Sequence, residues 1–249
     1  MVLKVAFSMK LLVTPKQGPW VAVQDQFTRE EVKRRILQTD VCLTDFDDTD
    51  AFSPAKVIAY TAFGTHHLNG KYLQWAFATA VDLLRRDSTV EERRWGEYKE
   101  AFLATRDTRE ELYHYFSNFL RAQKLVYPGV EEFYSSLPNS KKFYVTRNLP
   151  EIVIPFAALL GFDGFFAECY DKPALVDKFV ADNPHFQDFL VKGDSGKELE
   201  LADRLRFYRR SGTINSVTTI GVADSPLQIS PGFDVVIGKD YHGLVSLLR

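Results

Sequence analysis

The chain has 249 residues, 45% of them hydrophobic and 26% charged, with a formal net charge of −2. This make-up belongs to a globular protein able to bury a sizeable core, as one large domain or as a core with a smaller partner. The near balance of charge excludes the long-range pull toward nucleic acid or anionic membrane that a strongly basic chain would have. No apolar run reaches the length of a membrane span.

Residues 1–13 are interrupted by Lys4 and Lys10 and lack a small-residue cleavage site, so no export signal is read. The two cysteines, Cys42 and Cys169, cannot form a disulfide framework, and buried free thiols fit a reducing, cytoplasmic setting. Residues 3–13 and 20–23 are strand-like and separated by Pro15, Gly18 and Pro19, which predicts a hairpin or an added edge element. Thr28-Arg-Glu-Glu31 is a capping-box pattern that opens a charged helix to about Gln38. Residues 1–40 are read as an N-terminal extension.

Val41-Cys42-Leu43-Thr44 is apolar without alternation, as suits a parallel strand covered on both faces, and it ends abruptly in Asp45-Phe46-Asp47-Asp48-Thr49. Ligands of open α/β sheets bind at the carboxyl ends of strands, so these acids are placed for chemistry. Asp45 and Asp47 can point into one pocket if the extended geometry continues, where they repel unless one keeps its proton or a cation lies between them. A hard divalent ion with oxygen ligands is the simplest remedy. An EF-hand is excluded, because Asp50 and Lys56 stand where its Gly and Glu belong.

From residue 51 to about 125 the pattern changes to amphipathic helices rich in aromatics. Leu73, Trp75, Phe77, Val81, Leu83 and Leu84 fit one helix, and Phe102 and Leu103 fall in another. Thr89-Val-Glu-Glu92 and Thr108-Arg-Glu-Glu111 mark helix starts, with Leu112, Tyr113, Phe116, Phe119 and Leu120 as the apolar face of the last. The adjacent His66 and His67 read as loop residues rather than as a metal pair.

Alternation of strand and helix resumes at Tyr127. A helix over 131–137 leads to a strand over 143–145 that ends at Thr146-Arg147-Asn148. Next comes a helix whose start is blurred by Pro155 and whose stop is Gly161, then a strand near 165–169. An irregular to helical stretch follows over 172–187, then a helix over 198–210, strands over 216–222 and 234–237, and a closing helix. The order predicts an α/β fold, a Rossmann-like doubly wound parallel sheet. Its core spans 41–51 and 126–249, and 52–125 form an inserted α-helical cap domain.

The strand ending in Asp-Phe-Asp-Asp-Thr resembles the first motif of the haloacid dehalogenase (HAD) superfamily of phosphatases, and Thr146 matches the hydroxyl of its second motif. Gly193-Asp194-Ser195-Gly196-Lys197 and Thr219-Ile220-Gly221-Val222-Ala223-Asp224-Ser225-Pro226 resemble the third and fourth motifs. That pair is most similar to the corresponding segment of mannosyl-3-phosphoglycerate phosphatases. Two alternatives stay open: Gly193-Asp194-Ser195, with Glu198 after it, can be taken for the fourth motif, and Lys192 or Lys172 can supply the charge assigned to Lys197. The longer, more apolar strand before Asp224 favours Asp224. Three positions depart from the pattern: Ala223 and Gln228 replace the usual Gly and second acid of the fourth motif, and Asp50 replaces an apolar residue after the first. The last predicts a polar cap hinge.

The resemblance implies a metal-dependent phosphohydrolase acting on a small phosphorylated metabolite through an aspartyl-phosphate. Asp45 would be the nucleophile and Asp47 the acid/base. Thr49, Thr146, Arg147, Asn148 and Lys197 would hold the phosphoryl group, and Asp45, Asp47 and Asp224 would hold Mg2+ or another divalent cation. A cap between the first and second motifs is of the C1 type, which argues against the substrate of the mannosyl enzymes, whose cap follows the second. A phosphomutase and a non-catalytic binder of phosphate ligands are the alternatives on the same core. Neither nucleic acid nor membrane is expected as a partner.

Overall fold

The computed structural model describes residues 9–13, 19–52, 110, 113–114, 116–118, 125–224 and 232–249. The predicted helices through Leu73 to Leu84 and through Phe102, the start at Thr89, His66 and His67, Gln228 and nearly all of the predicted cap lie outside the described residues. Of the helix opened by Thr108, the described residues are helical. Phe116 is buried against Phe156, whereas Tyr113, assigned by the pattern to the apolar face, is 38% exposed.

Eight strands form one sheet: β1 (Met9–Val13), β2 (Val21–Gln24), β3 (Val41–Thr44), β4 (Lys141–Val145), β5 (Gly164–Phe166), β6 (Asp188–Gly193), β7 (Ser216–Ala223) and β8 (Val235–Gly238). Their order is β1-β2-β8-β7-β6-β3-β4-β5. Strands β3 to β8 run parallel to one another, and the predicted hairpin β1–β2 extends the sheet antiparallel beside β8. The fold is therefore α/β and Rossmann-like.

The helices are α1 (Arg29–Leu37), α2 (Val130–Ser135), α3 (Pro150–Leu159), α4 (Lys172–Asp182), α5 (Gly196–Arg210) and α6 (His242–Leu248). The capping box at Thr28 forms as predicted, and Gly161 follows α3 in the left-handed region at φ +67°. Alternate residues of each central strand feed opposite faces. Val41 and Leu43 of β3, with Phe189 and Val191 of β6, pack with Val176, Phe179, Leu201 and Leu205 of α4 and α5. Cys42 and Leu190 face the other way, onto the layer holding Val32, Ile36, Phe133, Phe156 and Leu244 from the remaining helices. Burial in that layer pushes the Cys42 thiol up to about 12, which leaves it a packing group rather than a nucleophile.

Strand β6 is the element the sequence pattern did not reveal, and it lies between β3 and β7. Register pairs Thr44 with Lys192, so the acids after β3 and the residues after β6 emerge side by side at the carboxyl edge. The chain leaves this edge at Phe52 and returns at Leu125. The two passages are adjacent, with Phe52 N–H donating to Leu125 O at 2.9 Å and Tyr127 N–H to Asp50 O at 2.9 Å. No helix among the described residues is long and apolar enough to cross a membrane.

Candidate active site

The segment after β3 splits its side chains. Phe46 turns into the core, edge-on to Tyr144 and Phe156 at ring-centroid distances of 5.2 and 4.6 Å, and anchors the loop between two acids. Asp48 turns the chain through the left-handed region at φ +52°, which an Asp tolerates at small cost. Asp50 N–H then closes on Phe46 O at 3.2 Å.

Asp45 meets a lysine. The Lys172 ammonium, on the first residue of α4, donates to Asp45 Oδ1 at 2.9 Å and to Glu198 Oε1 at 2.5 Å. Burial raises the Asp45 carboxyl, Lys172 pulls it back and Glu198 raises it again, leaving it at about 6. Burial works against the Lys172 charge, but Asp45 and Glu198 together outweigh it and hold this ammonium above the ordinary lysine value.

Glu198 owes its place to the turn after β6. Its Oε2 accepts from Ser195 N–H and Oγ at 3.0 and 2.6 Å, completing a capping box at the start of α5. Its side chain lies over Gly193, where an added Cβ would sit 2.0 Å from Glu198 Cγ, so only glycine admits the carboxylate.

Asp194 directly follows β6, the strand beside the one that presents Asp45. Crowding by protein atoms, then the charges of Asp45, Glu198 and Asp48, raises its carboxyl to about 7. Its side chain nevertheless keeps an exposed face, so the like charges are the part that a cation would relieve.

Asp47 Oδ2 accepts a short hydrogen bond from the Asn148 amide. Asn148 is buried, and its backbone N–H donates to Thr146 Oγ1 at 3.1 Å. The resemblance implies a phosphate contact for Asn148, whereas its amide here bonds Asp47. Thr49 and Thr146 are also buried, and Thr49 Oγ1 has no hydrogen-bond partner among the described residues. Arg147, between Thr146 and Asn148, is half-buried.

Two of the predicted placements shift. Asp224 follows β7, separated from β3 by β6, and its carboxylate is 67% exposed and pairs with Lys239 at 3.0 Å. Lys239 also reaches Asp48 at 3.2 Å, so Asp224 belongs to a group at the rim, while Asp194 is the acid next to the Asp45 strand. Lys197 sits half-buried in the first turn of α5, its N–H donating to Ser195 Oγ at 3.4 Å, and the ammonium seen on Asp45 is that of Lys172. The sequence pattern lacks β6, and it is this strand that brings Asp194 to the edge beside Asp45. The spacing of Asp194 and Glu198 after a strand was the signal present in the sequence, together with Lys172 as an alternative cation.

Asp50, whose place after the first motif predicts a polar cap hinge, is one half of a buried ion pair. Asp50 and Lys192 bond to each other inside the core, and neither has exposed side-chain surface.

These features define a class: a doubly wound α/β protein with a carboxylate beside a buried lysine at the carboxyl edge of its sheet. No known protein family matches the chain by profile, and no curated protein matches it. Among solved structures it is similar to a putative haloacid dehalogenase-like hydrolase from Burkholderia xenovorans LB400, at 17% identity over 83% of this chain and 97% of that one, with a TM-score of 0.49. It is similar to a substrate-bound phosphoserine phosphatase at 16% identity over 85% and 99%, TM-score 0.46. The UTR4 protein of Saccharomyces cerevisiae stands at 10% identity over 80% and 97%, TM-score 0.45.

Proposed function

We propose that this chain is a metal-dependent phosphohydrolase of the HAD type, acting on a small phosphorylated metabolite beneath a helical cap formed by residues 52–125. The observation that carries the reading is the Lys172 ammonium held between Asp45 and Glu198 at the end of β3. A purely structural acid needs no second carboxylate to steer its lysine. A nucleophilic carboxylate beside a dianionic phosphate does need a fixed cation.

The donor set fits a hard cation. Asp45 and Asp194 are oxygen donors, and the Asp45 charge comes after burial among the causes that raise the Asp194 carboxyl. Among the described residues no three His, Cys, Asp or Glu side chains gather as a complete metal site. Magnesium is ordinarily held by one or two carboxylates with water and substrate phosphate completing the shell. Asp45, the Asp47 backbone carbonyl and Asp194 would hold it, in place of the set containing Asp224. When bound it supplies neutralisation of phosphoryl charge.

The chain's own residues do the rest. Asp45 attacks phosphorus in line and takes the phosphoryl group as an aspartyl-phosphate, while Asp47 gives a proton to the departing alcohol. Asp47 then removes a proton from water, which attacks the acyl phosphate and releases phosphate and free Asp45. Lys172 keeps Asp45 oriented and would face the phosphoryl oxygens, and Thr49, Thr146 and Arg147 would supply the further donors. Asn148 fixes Asp47 through the amide hydrogen bond.

Turnover of an aryl phosphate, measured with magnesium and with chelator, tests the reading. Hydrolysis that stops with chelator is expected; equal rates in both, or none in either, would refute it.

A further inference from the structure

We infer that Lys192 and Asp50 form a buried positioning clamp that holds the segment from Asp45 to Asp50 in its working shape. The inference deepens the reading of Asp45 as nucleophile and rests on it. Lys192 reaches this segment at both ends. At the start, its backbone carbonyl accepts the N–H of Asp45 at 2.8 Å. At the end, its ammonium donates to Asp50 Oδ1, and both side chains are fully enclosed.

The remaining bonds fix direction. Tyr134 Oη donates to Asp50 Oδ2 at 2.5 Å, and Lys192 Nζ donates to Tyr241 Oη at 3.1 Å. Tyr241 Oη in turn donates to the Thr49 carbonyl at 2.7 Å. The rings of Tyr134, Tyr241 and Phe133 surround the ammonium, with centroids 4.5, 4.7 and 5.2 Å away. The segment between the two anchor points carries Asp45 and Asp47, and beyond Asp50 the chain departs at Phe52.

Stability alone does not explain such a pair. Two apolar side chains of similar volume often fill a buried site at equal or lower free energy. Leu190, two residues earlier on the same face of β6, belongs to that apolar layer. What apolar contact does not supply is a fixed register between β6 and the loop. Misplacing a reacting group by about 1 Å can cost ~10²-fold in rate, and that is the precision the clamp provides.

The test compares Asp50→Leu, Lys192→Met and the double variant by thermal unfolding and by turnover of an aryl phosphate with magnesium. Each single variant strands one buried charge and should lose about 10 °C of Tm. The double variant should regain most of that Tm while its kcat stays about 10²-fold down, with KM little changed. A double variant with wild-type Tm and wild-type kcat overturns the clamp. Hydrogen exchange provides a readout independent of activity and of the double variant's folding. In Asp50→Asn, which keeps the side-chain volume, exchange of the amides from Asp45 to Asp50 should accelerate at least about tenfold more than that of β7 and β8, whose amides report the global loss of stability. Acceleration no greater than that of β7 and β8 overturns the clamp. The expected loss of protection in a protein that hydrolyses no phosphate ester would support the clamp and refute the phosphatase reading alone.

Discussion

Replacing Lys172 with Gln should move the titration of Asp45 upward by about 1–3 units, the range by which an opposite charge in contact lowers a carboxylate. In the folded protein Asp45 titrates at about 6, with burial raising it, Lys172 lowering it and Glu198 raising it again. Its ionised share at pH 7 would fall from about nine-tenths to between about one-half and one-hundredth. The assay is a pH titration of aspartate carboxyl carbons by NMR in the metal-free protein, with Asp45→Asn to assign the signal. A wild-type midpoint at the ordinary aspartate value, or the same midpoint in both proteins, would refute the reasoning. Stability carries the same information with a definite sign. The folded state holds this proton more tightly than the unfolded chain, so the Asp45 contribution turns unfavourable as pH rises from the unfolded value through about 6. A shift of about two units corresponds to ~3 kcal/mol. The Asp45→Asn variant should therefore gain about that much stability over wild type between pH 4 and pH 7 in chelator.

Asp194→Asn should raise the magnesium concentration for half-maximal turnover by at least about tenfold, whereas Asp224→Asn should change it by less than about twofold; a magnesium titration of activity that gave the reverse would restore Asp224 as the ligand. Asn148→Leu removes the amide that steadies Asp47, and should slow hydrolysis of alkyl phosphates, which need a proton on the leaving oxygen, about tenfold more than that of p-nitrophenyl phosphate. An equal loss for both substrates would show Asn148 to be merely part of the core.

What the sequence displayed and what it hid follow from how local each signal is. The β3 run and its acids, the capping box at Thr28 and the β1–β2 hairpin depend on neighbours a few positions away, and all are legible as patterns. Strand β6 is hidden because Asp188-Phe-Leu-Val-Lys192-Gly193 ends in a lysine that looks solvent-bound. Its partner Asp50 lies 142 positions earlier, and only the tertiary fold makes that charge a core residue. Lys172 is hidden in the same way, at the head of a helix in an irregular-looking stretch, with partners 127 and 26 positions away. Without β6, Asp194 and Lys172 stand in the sequence only as alternatives to Asp224 and Lys197.

If Asp45 carries the phosphoryl group, mass spectrometry of protein quenched during turnover of an aryl phosphate with magnesium will find the phosphate on that residue. Asp47→Asn leaves the attacking carboxylate in place and slows hydrolysis of the intermediate, so this variant should accumulate phosphate on Asp45. Asp45→Asn should carry none and hydrolyse nothing. Phosphate found on another residue, or wild-type turnover by Asp45→Asn, would contradict the account.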